Sequence, residues 1–123
     1  MGHGDEIILA DGNFPAAANA QRLVSCYGNK ALDLLDAILE LFPLDTFVKQ
    51  PVSLMDIVPG DIYKPEIWED YKRIISKHAK HFTEFELVER SEFYERAKHA
   101  YAILATGETA RYANIILKKG LVS

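Results

Sequence analysis

Apolar runs of strand length alternate with helical stripes along the chain. Residues 6–10, holding Ile7-Ile8-Leu9-Ala10, and residues 22–26 are short apolar runs bounded by turn-forming residues, which predicts two strands. A broad stripe of Leu32, Leu35, Ala37, Ile38, Leu39 and Leu41 then predicts a helix, with Asn29 placed as its N-cap and Pro43 as its stop. Residues 52–58 read as a third strand, ended by the turn signal Pro59-Gly60-Asp61. Pro65 suits the first turn of a second helix, which runs to about residue 80 with Ile67, Tyr71, Ile74 and Ile75 on one side. Residues 85–89 fit a fourth strand, and Ser91 stands where it would cap a short helix through residue 100. Glu92 in the first turn of that helix suits the helix dipole. Residues 101–105 and 114–118 complete the strands.

Strands alternating with helices predict an α/β protein: a three-layer, single-domain arrangement over residues 1–123, with a mixed central β-sheet flanked by helices. Residues 11–21, with Gly12-Asn13-Phe14-Pro15 and a run of small residues, read as a loop over the end of the first strand. In open α/β sheets ligands collect at the carboxyl ends of strands, which is where Asp11 would sit.

The chain's 123 residues suit one domain. A formal net charge of -4 argues against nucleic acid or an anionic membrane as the main partner, since both select basic faces. No apolar run has the length of a membrane span, and the first residues lack the basic-then-apolar order of a signal peptide. The single cysteine, Cys26, cannot form an intrachain disulfide, which fits a reducing compartment and makes the cytoplasm the expected location.

Chemistry concentrates around two strands. Met1-Gly2-His3-Gly4-Asp5-Glu6 leads into the first strand and Asp11 follows it, so an imidazole and a carboxylate flank one short element. Both can carry protons near neutral pH: a free imidazole titrates at about 6.5, and a carboxyl can be tuned by burial. Tyr112-Ala113-Asn114 likewise opens the last strand. Other candidates have plainer readings. His78 and His81 lie three apart at a helix end with no further metal ligands supplied in sequence, so no metal site is expected. His99 reads as an ordinary surface or core histidine, and Trp68 and Tyr71 as packing between layers or subunits. Asp11 alone could begin an Asx turn, Asn114 could satisfy a neighbouring backbone, and Arg90 could pair with Glu89 or Glu92.

Met1-Gly2-His3-Gly4-Asp5-Glu6-Ile7, Asp11 with Phe14-Pro15, Phe93-Tyr94-Glu95-Arg96-Ala97-Lys98, Thr106-Gly107-Glu108 and Tyr112-Ala113-Asn114 occur in this order over almost the whole chain. Together they resemble the L-fucose mutarotase family, related to D-ribose pyranase. The resemblance implies an isomerase that interconverts the anomers of a monosaccharide, L-fucose or a similar aldose, without metal or organic cofactor. It also implies self-association into a ring-shaped homo-oligomer, commonly a decamer, with an active site that two subunits could share.

By the same resemblance His3 is the proton-transferring residue, Asp11 and Arg90 bind the sugar, and Tyr112 and Asn114 form a binding pair in which the Tyr112 phenol also serves the reacting oxygens. Arg90 favours the fucose branch, because the ribose branch has a histidine there. Relatives usually carry a helical segment ahead of the Met-Gly-His motif, whereas this chain begins at it, and Ser25-Cys26-Tyr27-Gly28 replaces a usual Arg-Ala-Asp-Gly. Two alternatives follow: a sugar-binding or assembly module of the same fold without catalysis, and a ribose-type pyranase.

Overall fold

The computed structural model describes residues 1–121. Its six strands are β1 (Glu6–Ala10), β2 (Leu23–Cys26), β3 (Val52–Met55), β4 (Glu86–Val88), β5 (Ala102–Thr106) and β6 (Ile115–Lys118), and its helices are α1 (Ala16–Asn19), α2 (Ala31–Leu41), α3 (Glu66–His78) and α4 (Arg90–His99). The strands form one sheet in the order β2-β5-β1-β6-β3-β4. β2, β5 and β1 pair in parallel, as do β3 and β4, while β6 lies antiparallel between β1 and β3. Five strands therefore point the same way, and their carboxyl ends share one rim with the start of β6.

Alternation along β1 shows why the sheet needs cover on both sides. Ile7 and Leu9 join the core that includes Leu35, Leu39, Ile67, Tyr71 and Ile75 from α2 and α3. Ile8 and Ala10 join the opposite core with Ala16 of α1 and Phe93 and Ala97 of α4. The helices present matching rows: Ala31, Leu35 and Leu39 on α2, and Ile67, Tyr71 and Ile75 on α3, each spaced by four. Burying each large side chain of these rows contributes roughly 1.5–3 kcal/mol. The three-layer α/β architecture with a mixed sheet is the one the sequence predicts.

The differences are local and have physical reasons. Within the expected 11–21 loop lies the short α1, which buries Ala16. β3 ends at Met55 rather than at residue 58; Asp56 still donates its N–H to the Val88 carbonyl (2.8 Å) but its carboxylate accepts the Ile57 N–H (2.8 Å), turning the chain out of the ladder. Asn29 is not the cap of α2. Lys30 occupies the cap position and offers no side-chain bond, so the Ala31 N–H is satisfied by Glu108 Oε1 (3.1 Å) from the far side of β5. α4 starts two residues earlier than Ser91 as its cap predicts, with Glu89 at the cap position and Ser91 Oγ donating to Glu89 Oε1 (2.8 Å). Gly107 permits the closest of these approaches: a Cβ there would stand 2.3 Å from the Tyr27 carbonyl oxygen.

Candidate functional site

The carboxyl rim of the sheet holds a cleft of about 330 Å³, lined by Asp11, Phe14, Met55, Asp61, Arg90, Tyr94, Arg111, Tyr112 and Asn114 among others. Most of these residues stand where the chain leaves or enters a strand at this rim: Asp11 after β1, Met55 at the end of β3, Arg90 at the start of α4 just after β4, and Tyr112 and Asn114 before β6, with Tyr94 one turn along α4. Because β6 runs against its neighbours, the residues before it reach the same rim as those after the others.

Asp11 and Asn114 interlock. The Asp11 N–H donates to Asn114 Oδ1 (2.7 Å), and Asp11 Oδ1 accepts the Asn13 N–H (3.0 Å) as an Asx turn. Both plain readings of these residues are thus observed, and both residues also face the cleft. Burial pushes the Asp11 carboxyl above its ordinary pKa, outweighing hydrogen bonds from the Asn13 and Phe14 N–H groups and from Asn114, with nearby Glu108 adding to the rise.

Tyr112 sits in the left-handed region at φ 58, a conformation that costs a side-chain-bearing residue energy and that surrounding contacts have to hold. Trp68 Nε1 donates to the Tyr112 carbonyl (2.7 Å), and the buried Tyr71 hydroxyl donates to the Ala113 carbonyl (2.6 Å). These two aromatics of α3, expected to pack between layers or subunits, therefore grip the strained segment from beneath. Burial, with Glu108 and Asp11 adding, drives the Tyr71 phenol far above its usual pKa and keeps it a donor.

Above the segment, the Tyr112 hydroxyl donates to Asp61 Oδ2 (2.6 Å), which also takes Arg111 Nη2 (2.6 Å). Tyr63 stacks on the Tyr112 ring at 6.1 Å, and the Arg111 guanidinium lies 4.4 Å from the centre of Tyr63. The hydrogen bond from Tyr112 and the Tyr63 N–H, with Arg111 beside them, holds the Asp61 carboxyl below its ordinary pKa.

Arg90 opens α4 and packs its guanidinium over Tyr94, with Nη2 at 3.3 Å from the phenol oxygen and the ring centre at 5.6 Å. It does so rather than pairing with Glu89, which takes Ser91.

His3 is elsewhere. It precedes β1, so the length of that strand, roughly 16 Å for five residues, separates it from Asp11. Its Nε2 lies 3.1 Å from Oδ1 of the buried Asp45, and its ring meets Phe47 edge-on at 5.1 Å. Burial pushes the Asp45 carboxyl upward, but the Phe47 N–H and the His3 imidazole hold it below its ordinary value. Four of the five residues singled out in sequence thus converge in one cleft, and His3 does not.

Asp61, Arg111, Met55 and Tyr94 were missed as site residues. In sequence the Pro59-Gly60-Asp61 signal predicts only the end of a strand, whereas Tyr94 stands one helical turn after Arg90.

The remaining histidines are structural or exposed. His78 Nε2 meets Asp36 Oδ1 at 2.6 Å, with Glu40 3.9 Å from the other ring nitrogen. Asp36, Glu40 and His78 come within ligand reach of a common point, but Lys77 Nζ already lies 2.9 Å from Asp36 Oδ1, so the cluster ties α2 to α3. His81 bonds the Asp45 carbonyl at 3.2 Å, and His99 is exposed. Among the described residues no helix is long and apolar enough to cross a membrane.

The model of the family described as RbsD / FucU transport protein matches residues 1–122. The fucose mutarotase of Homo sapiens is 45% identical over 129 residues, spanning 100% of this chain and 83% of its own length. The L-fucose mutarotase of Actinobacillus pleuropneumoniae serotype 5b is 44% identical, over 98% of this chain and 84% of its own. Among solved structures, the fucose mutarotase from Streptococcus pneumoniae in complex with L-fucose superposes with a TM-score of 0.92 at 50% identity, covering 100% of this chain and 87% of that one. Bacillus subtilis RbsD, complexed with D-ribose, shares the fold with a TM-score of 0.75 at 23% identity, over 100% of this chain and 87% of that one.

Proposed function

Because this chain belongs to the RbsD / FucU family, we propose that it is a mutarotase, an isomerase that interconverts the α and β anomers of L-fucose or a similar aldose. The observation that carries this reading is the convergence of Asp11, Arg90, Tyr112 and Asn114 in one rim cleft of monosaccharide size, in a fold superposing closely on a relative that binds L-fucose. The D-ribose-binding relative is similar in fold alone, so the fucose-type substrate is preferred to ribose.

Mutarotation exchanges only protons between sugar and enzyme. The anomeric hydroxyl gives up its proton as the ring oxygen gains one, the C1–O5 bond breaks, the aldehyde rotates about C1–C2, and the ring recloses on the other face of the carbonyl. Asp11, with its raised pKa, and the Arg90 guanidinium hold sugar hydroxyls as acceptor and donor. Asn114 Oδ1 is occupied by the Asp11 N–H and its amide NH₂ also serves the Asp11 carboxyl, which leaves that amide's second N–H for the sugar. The Tyr112 phenol faces the reacting oxygens, and His3 passes the second proton.

Since His3 of the same protomer stands at the far end of β1, the imidazole in each cleft is supplied by a second copy. A contact that joins the His3 end of one protomer to the cleft end of the next is head-to-tail, the type that forms a ring when its rotation closes. Exposed Met1 and Phe47 at one end, and exposed Ile62 and Tyr63 at the other, suit that contact. A ring-shaped homo-oligomer, a decamer by family resemblance, acting in the cytoplasm, completes the proposal. Saturation-transfer proton NMR between the anomers of L-fucose tests it. Exchange accelerated by the protein and lost in His3→Ala is the expected result; acceleration unchanged by His3→Ala removes the assigned role, and no acceleration removes the enzyme reading.

A further inference from the structure

The Tyr112 phenol has one proton to donate and two lone pairs with which to accept. The proton goes to Asp61 Oδ2 at 2.6 Å, and one lone pair is approached by the Val58 N–H at 3.3 Å. What remains toward the cleft is a single acceptor position. Asp61 is itself fully engaged on the protein side: Oδ1 takes the Tyr63 N–H at 2.9 Å, and Oδ2 takes both Tyr112 and Arg111.

We infer that Asp61 is a positioning residue for the reaction: by holding the Tyr112 proton it fixes the phenol as an acceptor toward the sugar, so that Tyr112 meets the anomeric hydroxyl and never the ring oxygen as a donor. The inference rests on the mutarotase reading and deepens it by setting the direction of proton flow. When the anomeric hydroxyl faces Tyr112, its proton passes to the phenol oxygen as the phenol's own proton passes to Asp61 Oδ2, so one O–H bond forms on Tyr112 as the other breaks; the proton that the ring oxygen gains comes from the imidazolium of the second copy. Reclosure reverses both transfers, so no net proton is taken up and no other reactant is needed.

The geometry gives this arrangement support that a chance surface contact would lack. Tyr112 is held in the left-handed region by Trp68 and Tyr71 acting on successive carbonyls, so the ring has a fixed base. Tyr63 stacks on one side of it. Asp61 follows Gly60, whose φ of 88 turns the loop back over the cleft. With backbone and ring both set, the hydroxyl rotor is the remaining freedom, and the Asp61 carboxylate fixes it.

The test is a double-mutant cycle on the full-length protein, read as anomer exchange of L-fucose at several sugar concentrations. Asp61→Ala is expected to lower kcat about tenfold with KM changed less than about twofold, because the carboxylate acts through Tyr112 and not on the sugar. Tyr112→Phe is expected to lower kcat at least as much, and adding Asp61→Ala to it is expected to cost nothing further. Asp61→Asn, which keeps size and an acceptor oxygen, is expected to fall between parent and Asp61→Ala and serves as the readout if the alanine variant does not fold. Equal losses from an Asp61 substitution in the parent and in the Tyr112→Phe background overturn the inference, as does full activity of a folded Asp61 variant. Full activity of Tyr112→Phe itself also overturns it, and in that case the role assigned to Tyr112 has failed as well, with His3→Ala left to judge the enzyme reading.

Discussion

Glu108 and Ala31 stand 77 residues apart, yet the carboxylate of one accepts the first backbone N–H of the helix begun by the other, at 3.1 Å. The second oxygen of the same carboxylate accepts the Thr109 and Ala110 N–H groups, both at 3.1 Å, and those two residues line the rim cleft. One buried side chain therefore caps α2 and shapes a wall of the site. Glu108→Ala strands three N–H groups and is expected to lower unfolding free energy by about 2–3 kcal/mol. Urea unfolding followed by circular dichroism checks it, and a loss under about 0.5 kcal/mol would mean that water replaces the carboxylate.

Asp11→Asn separates binding from stability. Burial raises the Asp11 pKa above its ordinary 3.8, so the folded chain holds that proton more tightly than the unfolded one. Such a group favours folding at low pH and penalises it as pH climbs through the folded-state value. Asp11→Asn is expected to raise the melting temperature near neutral pH, with the gain fading below about pH 4. Anomer exchange is expected to fall about 10–100-fold in the same variant. Thermal melts at the two pH values and exchange NMR read the two effects.

Subunit mixing locates His3. His3→Ala and Asp11→Ala proteins are each expected to be inactive, because every cleft lacks either its imidazole or its carboxylate. Dissociated, mixed in equal amounts and reassembled, they are expected to recover about one quarter of parental exchange, the share of head-to-tail contacts that join an intact cleft to an intact His3. A cleft served by its own chain's His3 would recover nothing.

Arg96 ties the opposite rim. It bonds Glu6 Oε2 at 2.6 Å and Glu86 Oε1 at 2.7 Å, linking α4 to β1 and β4. Burial works to raise the Glu86 pKa, yet Ser53 and Arg96 bonds hold it below the ordinary value. Arg96→Ala leaves the two carboxylates without the cation that bridges them and is expected to cost about 2 kcal/mol at neutral pH, and less at acid pH, where the carboxylates are protonated in parent and variant alike. Urea melts at acid and neutral pH measure this.

What the sequence carried most clearly was periodicity. The apolar rows at Leu35 and Leu39, and at Tyr71 and Ile75, placed two helices because a covered face requires them, and the short apolar runs placed all six strands. It carried Asp11, Arg90, Tyr112 and Asn114 as well, through motif order. What it did not carry depends on partners far away in the chain. Asn29 looked like a cap because local chemistry suits it, but Glu108 takes that task across the sheet. Asp61 looked like turn material, since nothing near it in sequence announces Tyr112, 51 residues on. Trp68 and Tyr71 looked like packing, and only their distance to the 112 and 113 carbonyls shows what they hold.

The antiparallel β6 has one further consequence, which concerns synthesis. The centre of the sheet is made by β1 and β6, the first and last of the described strands, with Ile8 opposite Ile116. A ribosome releases β3, α3, β4 and β5 before the strand that joins the two parallel halves exists, so the halves wait with apolar edges open. Pairings of such long sequence separation close slowly. The nascent protein is thus most exposed to aggregation just before β6 emerges, and chaperone dependence should concentrate in that interval.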